Sequence, residues 1–172
     1  AAAPSLPSYE VMLTAYNAVP AQTDGDPLET ASGAFSNPQV VAARSRNLAE
    51  ELPFGTIIEL DGSTISADNT CGFSVVEHRI GYRVIADTMN ARYTKRVDVL
   101  LDSNTTYRLN GAVRNASHVF GICRGVTVRV VGKLDPKKMH KLPRTQAELT
   151  SIVEGRTDGL VIADKTTSER GG

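Results

Sequence analysis

VIADTMNARYTKRVDVLL, residues 84–101, reads as two β-strands joined by a polar connection. Aliphatic and β-branched residues dominate both ends, while Asn, Arg, Thr and Lys fill the middle. The first strand ends near Asp87, and the second carries Asp98 in its centre, eleven positions later. Aspartate is depleted in strands, so a mid-strand Asp beside a leucine calls for a partner or a purpose. On strict alternation Asp87 lies on the side of Ile85 and Arg83. Asp98 lies with Leu100 and Arg96, opposite Val97, Val99 and Leu101. Two readings follow. One is salt bridging to Arg83, Arg92 or Arg96, worth about 0–1 kcal/mol if exposed. The other is a cleft in which a partly desolvated carboxyl beside another acid has a raised pKa and donates a proton.

Outward from this stretch, the chain from Tyr9 to about Val131 reads as short strands separated by turns. YEVMLTAYNAV (9–19) is a β-branched and aromatic run closed by Pro20, and AQTDGDPLETASGAFSNP (21–38) is a polar loop. QVVAARS (39–45) is a short strand, and RNLAEELPFGT (46–56) is one helical turn ended by Pro53 and Gly55. TIIEL (56–60), CGFSVVEH (71–78), YRVIADT (82–88) and RVDVLL (96–101) read as further strands. CRGVTVRVVG (123–132) alternates cleanly, with Val126, Val128 and Val130 on one face and Thr127 and Arg129 on the other. A short helix fits between Asn110 and Phe120. Strands at this spacing predict an all-β chain, a small barrel or sandwich. After Gly132, KLDPKKMHKLPRTQ (133–146) is basic and reads as a solvated linker. QAELTSIVEG (146–155) suits a short helix, and TTSERGG (166–172) reads as a flexible tail. The expected organisation is an N-terminal extension at 1–8, a barrel at 9–132 and an extension at 133–172.

Composition narrows the classes. The 172 residues carry 19 basic and 19 acidic side chains, a formal net charge of zero. That balance gives no bulk attraction to nucleic acid. No apolar run reaches the length of about 20 residues that a membrane helix needs. AAAPSLPSYE (1–10) has neither the basic start nor the apolar core of a secretion signal. It suits a mature N-terminus left after export, or a boundary inside a linker. His78, His118 and His140 form no short ligand pattern, and no metal or cofactor is expected. Cys71 and Cys123 fit either two buried thiols in a reducing compartment or one disulfide in an oxidising one. The disulfide is the expectation carried forward.

Four segments in order, LTAYNAVPAQTDGDPLETASG, VVAARSRNLAEELPFGT, YRVIADTMNARYTKRVDVLL and FGICRGVTVRVVG, resemble the 3D (three-aspartate) domain. That domain is shared by membrane-bound lytic transglycosylases of the A type and by bacterial cell-wall remodelling factors. The likeness covers about Met12 to Val131. It includes the T-A-Y start, the T-A-S-G loop (Thr30 to Gly33), the L-P-x-G-T turn, the A-D-T ending and a V-D-V strand eleven residues beyond it. The resemblance implies a six-stranded double-psi β-barrel with a groove across one face. It implies Asp98 as catalytic acid and Asp87 as the neighbour that raises its pKa or orients it. The family's enzymes cleave the β-1,4 bond between N-acetylmuramic acid and N-acetylglucosamine without water. One Asp protonates the leaving oxygen, and its carboxylate then assists attack by the muramyl 6-hydroxyl, leaving a 1,6-anhydro ring. Thr14, Tyr16, Thr30, Asn90 and Tyr93 are the expected substrate-binding residues, with Tyr93 a candidate for stacking on a sugar. Thr30 is also expected to bond the acidic cluster.

The chain departs from the family pattern twice. MNARYTK (89–95) stands where many members have G-G-A-I-K-G, and the third aspartate is absent, with Glu50 and Glu51 near its place. Asp24 and Asp26 are further acids in the loop before Thr30, and His118 and Arg124 fit either a cleft or the open surface. The leading expectation is a monomeric, secreted or periplasmic lytic transglycosylase acting on peptidoglycan. The alternatives are an expansin-like barrel that binds glycan without turnover and an inverting endoglucanase on the same barrel. Aromatic content of 5% with no tryptophan disfavours a flat cellulose-gripping platform.

Overall fold

The computed structural model describes residues 6–17, 29–102 and 104–155. Asp24 and Asp26, residues 1–5 of the N-terminal extension, and the tail TTSERGG lie outside them. Eight strands are present among the described residues: β1 (Ser8–Asn17), β2 (Val41–Arg44), β3 (Thr56–Asp61), β4 (Arg83–Thr88), β5 (Arg96–Leu101), β6 (Thr106–Leu109), β7 (Ala112–Asn115) and β8 (Cys123–Lys133). Six of them close a barrel in the order β1-β5-β2-β4-β3-β8, and β6-β7 form a separate hairpin. The β1/β5 and β2/β4 pairs are parallel, and the remaining pairs are antiparallel. Three short α-helices, α1 (Phe73–Val76), α2 (Ala116–Phe120) and α3 (Gln146–Val153), and several 3-10 turns join them. The all-β class holds, and the barrel is closed and mixed.

Alternation along the strands divides the apolar residues into two layers. Val11, Leu13, Ala42, Ile58, Ile85, Val97, Val99, Val126 and Val128 come from all six barrel strands and fill the interior. Phe73, Val76, Ala116 and Phe120 from α1 and α2 extend that core. The second layer groups Tyr16, Val41, Ala43, Val84, Ala86 and Leu100 with Met139 and Leu149 of the C-terminal extension. The basic segment is therefore not a solvated linker throughout. Residues Pro136–Lys141 form a 3-10 helix whose lysines are exposed while Met139 is 4% exposed, and α3 buries Leu149 completely. Leu134 N donates to Gly55 O at 2.8 Å, and Gly55 has φ +97°. A Cβ there would lie 2.5 Å from the Leu134 carbonyl oxygen, which is why the turn before β3 needs glycine.

Two further local features differ from expectation. CGFSVVEH is not a strand: Phe73 and Val76 are buried three residues apart while Ser74, Val75 and Glu77 face solvent, a helical spacing. The segment ahead of α2 folds as the hairpin β6-β7, which turns at Asn110-Gly111 with both residues at positive φ, the pattern that an Asn-Gly dipeptide favours.

A buried cation ties three strands together. Arg83, at the start of β4, is fully buried, and its guanidinium donates to five carbonyl oxygens at 2.7–3.1 Å: Ile80, Pro38, Val41, Leu100 and Arg79. Val41 and Leu100 lie on β2 and β5, so one side chain links β4 to both. Burial lowers its pKa to about 9, which leaves it charged at neutral pH. Arg83→Met should lower stability by roughly 3 kcal/mol or more, because the charge goes but the buried carbonyls stay without donors. Urea unfolding of the two proteins measures this; a loss under about 1 kcal/mol would show that the carbonyls find other donors.

Cys71 and Cys123 form a disulfide, with Cα atoms 5.4 Å apart across 52 residues of sequence. It joins the segment leading into α1 to the start of β8. Closing a loop of this length stabilises by about 4 kcal/mol in the chain-entropy account. A thiol count in denaturant without reductant should find none, and the Cys71→Ser/Cys123→Ser pair should lose stability on that scale.

Candidate active site

The two aspartates lie on one rung of the barrel, on the strands either side of β2. Ala43 of β2 is the register partner of Asp87 on β4 and of Asp98 on β5, and Asp98 is in turn opposite Thr14 on β1. Four adjacent strands thus present Thr14, Asp98, Ala43 and Asp87 side by side.

Simple alternation does not bring Asp87 there. The β2/β4 register shifts between Ala42 and Ala43: Ala42 pairs with Ile85, and Ala43 pairs with Asp87, so Ala86 is an extra residue. This β-bulge turns Asp87 away from Ile85, which stays in the barrel interior, and toward Tyr16 and Ala86 in the second layer. The expected face of Asp87 is corrected accordingly. Asp98 needs no such device: it lies with Leu100, opposite the interior Val97 and Val99.

Hydrogen bonds hold each carboxyl. Thr14 Oγ1 donates to Asp98 at 3.0 Å, and Tyr16 hydroxyl donates to Asp87 at 3.0 Å. Asp87 also accepts from the backbone N–H groups of Ala31 and Thr88, both at 2.9 Å. The T-A-S-G loop therefore reaches Asp87 through Ala31, not through Thr30. Thr30 is buried; its hydroxyl accepts from Ala34 N at 3.2 Å and meets Ser32 Oγ at 3.0 Å, shaping the loop. Thr14 and Tyr16 position the acids.

No ion pair neutralises either aspartate among the described residues, where Arg129 with Glu59 and Asp61 makes the two salt bridges. The arginines considered as partners are engaged elsewhere. Arg83 caps carbonyls, and Arg96 donates to Met12 Sδ at 3.0 Å with its guanidinium 4.4 Å from the Tyr93 ring. Arg92 lies 4.8 Å from the same ring and donates to the Tyr93 hydroxyl at 2.8 Å. Tyr93 is thus a base for two guanidinium groups. Asn90 is exposed and shapes the connection: its side chain accepts from Arg92 N and its carbonyl from Tyr93 N.

Burial pushes Asp98 up to about 6, against the Thr14 hydrogen bond and the Arg96 charge, and the Asp87 charge adds a smaller upward push. Burial, with the charge and hydrogen bond of Asp87 behind it, also raises Tyr16 well above the ordinary tyrosine range, so it serves as a donor. Other candidates are not brought here. Glu50 and Glu51 make no hydrogen bond to either aspartate, whose partners are Thr14, Tyr16, Ala31 and Thr88. His118 is exposed and meets Arg114 at 3.1 Å, and Arg124 is exposed on β8. Four cavities bounded by described residues, the largest about 750 Å³ and lined by residues of 133–152, are lined by neither acid. No cluster of three or more His, Cys, Asp or Glu suited to a metal occurs among the described residues, and no helix there is long and apolar enough to cross a membrane.

The raised Asp98 pKa has a sign for stability. The native state holds this proton more tightly than the unfolded chain does, so its contribution is fully present below about pH 4 and is lost as pH rises through 6. Asp98→Asn should therefore stabilise the protein at pH 7 by up to about 3 kcal/mol, with the gain gone below about pH 4. Denaturant unfolding at the two pH values checks this, and an equal effect at both would rule out a desolvated, titrating Asp98. Against known proteins, no family model, curated sequence or solved structure matches this chain.

Proposed function

We propose that the protein is a peptidoglycan lytic transglycosylase built on a double-psi β-barrel, with Asp98 as the single acid and base. The closed six-strand barrel with parallel β1/β5 and β2/β4 pairs supports the scaffold part of this reading. The disulfide fits an oxidising compartment, as an envelope enzyme would require. One observation carries the chemistry: Asp98 makes no ion pair among the described residues, is desolvated, is shifted to about 6, and shares a rung with a second carboxyl.

A carboxyl with that pKa is partly protonated near neutrality, so it can give its proton to the glycosidic oxygen. The resulting carboxylate then accepts the proton of the muramyl 6-hydroxyl as that oxygen attacks the anomeric carbon. The glycosidic bond breaks, the 1,6-anhydro bond forms, and Asp98 is restored to its acid form without water. Hydrolysis needs a second carboxyl for a water or a covalent intermediate. Asp87, fixed by three donors, has a different role, in which its negative charge stabilises the positive character that develops at the sugar ring.

Mass spectrometry of murein sacculi digested with wild-type and Asp98→Asn protein tests this. Anhydro-muropeptides should appear with the first and vanish with the second. Because the acid form is required at the start, kcat/KM should fall about tenfold per pH unit above 6. Products with reducing ends would support the inverting hydrolase instead, and binding without products would support the non-catalytic barrel.

A further inference from the structure

The connection between β4 and β5 and its flanks carry cations that form no ion pair among the described residues. Arg46 is exposed and donates to Met89 O at 3.1 Å, which fixes it to the start of this connection. Arg92 is exposed, Arg96 half-buried, and both guanidinium groups lie within 4.8 Å of the Tyr93 ring centre. None of the three has a carboxylate within ion-pair distance among the described residues, although Arg129 elsewhere has two. In a chain of zero net charge this is a local concentration, not a bulk excess.

Its position gives it meaning. Arg96 is two residues before Asp98 on the same face of β5, one step along the strand, and its charge acts on the Asp98 carboxyl. The tyrosine ring orients the two guanidinium groups and limits the freedom they would lose on binding. A guanidinium already held in place and lacking an anion is suited to a carboxylate.

We propose that Arg46, Arg92 and Arg96 form a carboxylate-binding subsite beside Asp98, which selects glycans bearing an acidic substituent on the sugar at the cleaved bond. This rests on the muramyl reading of the Asp98 site and sharpens it. Muramyl residues carry such a group on their 3-O-lactyl arm, either as the free lactyl carboxylate or as the carboxylates of an attached peptide. Chitin oligomers have the N-acetylglucosamine backbone and neither source.

Binding to three probes in the Asp98→Asn background, where turnover is removed, separates these. The probes are muropeptide oligomers with intact stems, peptide-stripped strands with free lactyl groups, and chitin oligomers of equal length. At least one carboxylate-bearing probe should bind about tenfold or more tighter than chitin, with the difference shrinking in high salt. Tighter binding of the first or of the second identifies the stem or the lactyl carboxylate as the ligand. Arg92→Gln/Arg96→Gln and Arg46→Gln should bring the preferred probe toward the chitin value, and Arg92→Lys should restore part of it. Equal affinity for all three probes, or preference unchanged by the glutamine variants, would overturn the subsite. Loss of preference only because the variant unfolds is identified by its circular dichroism, and the single Arg46→Gln change then decides. Carboxylate-dependent binding without anhydro products from the wild type would instead sink the transglycosylase reading and leave the subsite standing.

Discussion

The guanidinium of Arg83 is the fixed point of this barrel. A charge removed from water with no anion beside it is costly, and the cost is met here by five backbone oxygens. Those oxygens belong to the loop before β2, to β2 and β5, and to the turn before β4. The segments that later display the acids are therefore held by one side chain at their other end. Asp87 sits four residues beyond Arg83 on β4, and Asp98 two residues before Leu100 on β5. The arginine that shares a strand with Asp87 is committed to the scaffold, and neither carboxyl has an ion-pair partner among the described residues.

From that anchor the geometry of the site follows in two steps. Antiparallel pairing sets Asp98 opposite Ala43, and parallel pairing with one extra residue sets Asp87 opposite the same alanine. Thr14 and Tyr16, two residues apart on one face of β1, then supply one hydroxyl to each acid. Burial dominates the upward shift of Asp98, and its neighbour contributes less. The desolvating layer around the rung is accordingly as much part of the chemistry as the second carboxylate.

Much of this is legible in the residues and some is not. Six of the eight strands follow from apolar alternation and turn residues, and the face of Asp98 follows from its place between Val97 and Val99. The face of Asp87 does not, because a bulge depends on the partner strand, and nothing local in YRVIADT announces it. CGFSVVEH misleads because a short apolar run suits a strand or a helical turn equally, and the core against Phe120 decides. Met139 is hidden among lysines: composition reports the solvated face of this segment and not the side chain that it buries. Thr30 and Ala31 show a different limit, since a side chain can be named from a motif while the adjacent backbone N–H makes the contact.

Barrel closure has a consequence for when the acid becomes an acid. β1 leaves the ribosome before the strands it pairs with, β5 and β8, whose residues are synthesised much later. Such nonlocal pairing makes folding slow and leaves the nascent polypeptide open for much of its synthesis. Until β1 docks, Thr14 and Tyr16 are remote from the aspartates and position 98 is an ordinary hydrated carboxylate. The protonated form near neutral pH is thus a property of the finished barrel alone, so a chain still in transit carries the sequence of the site without its reactivity.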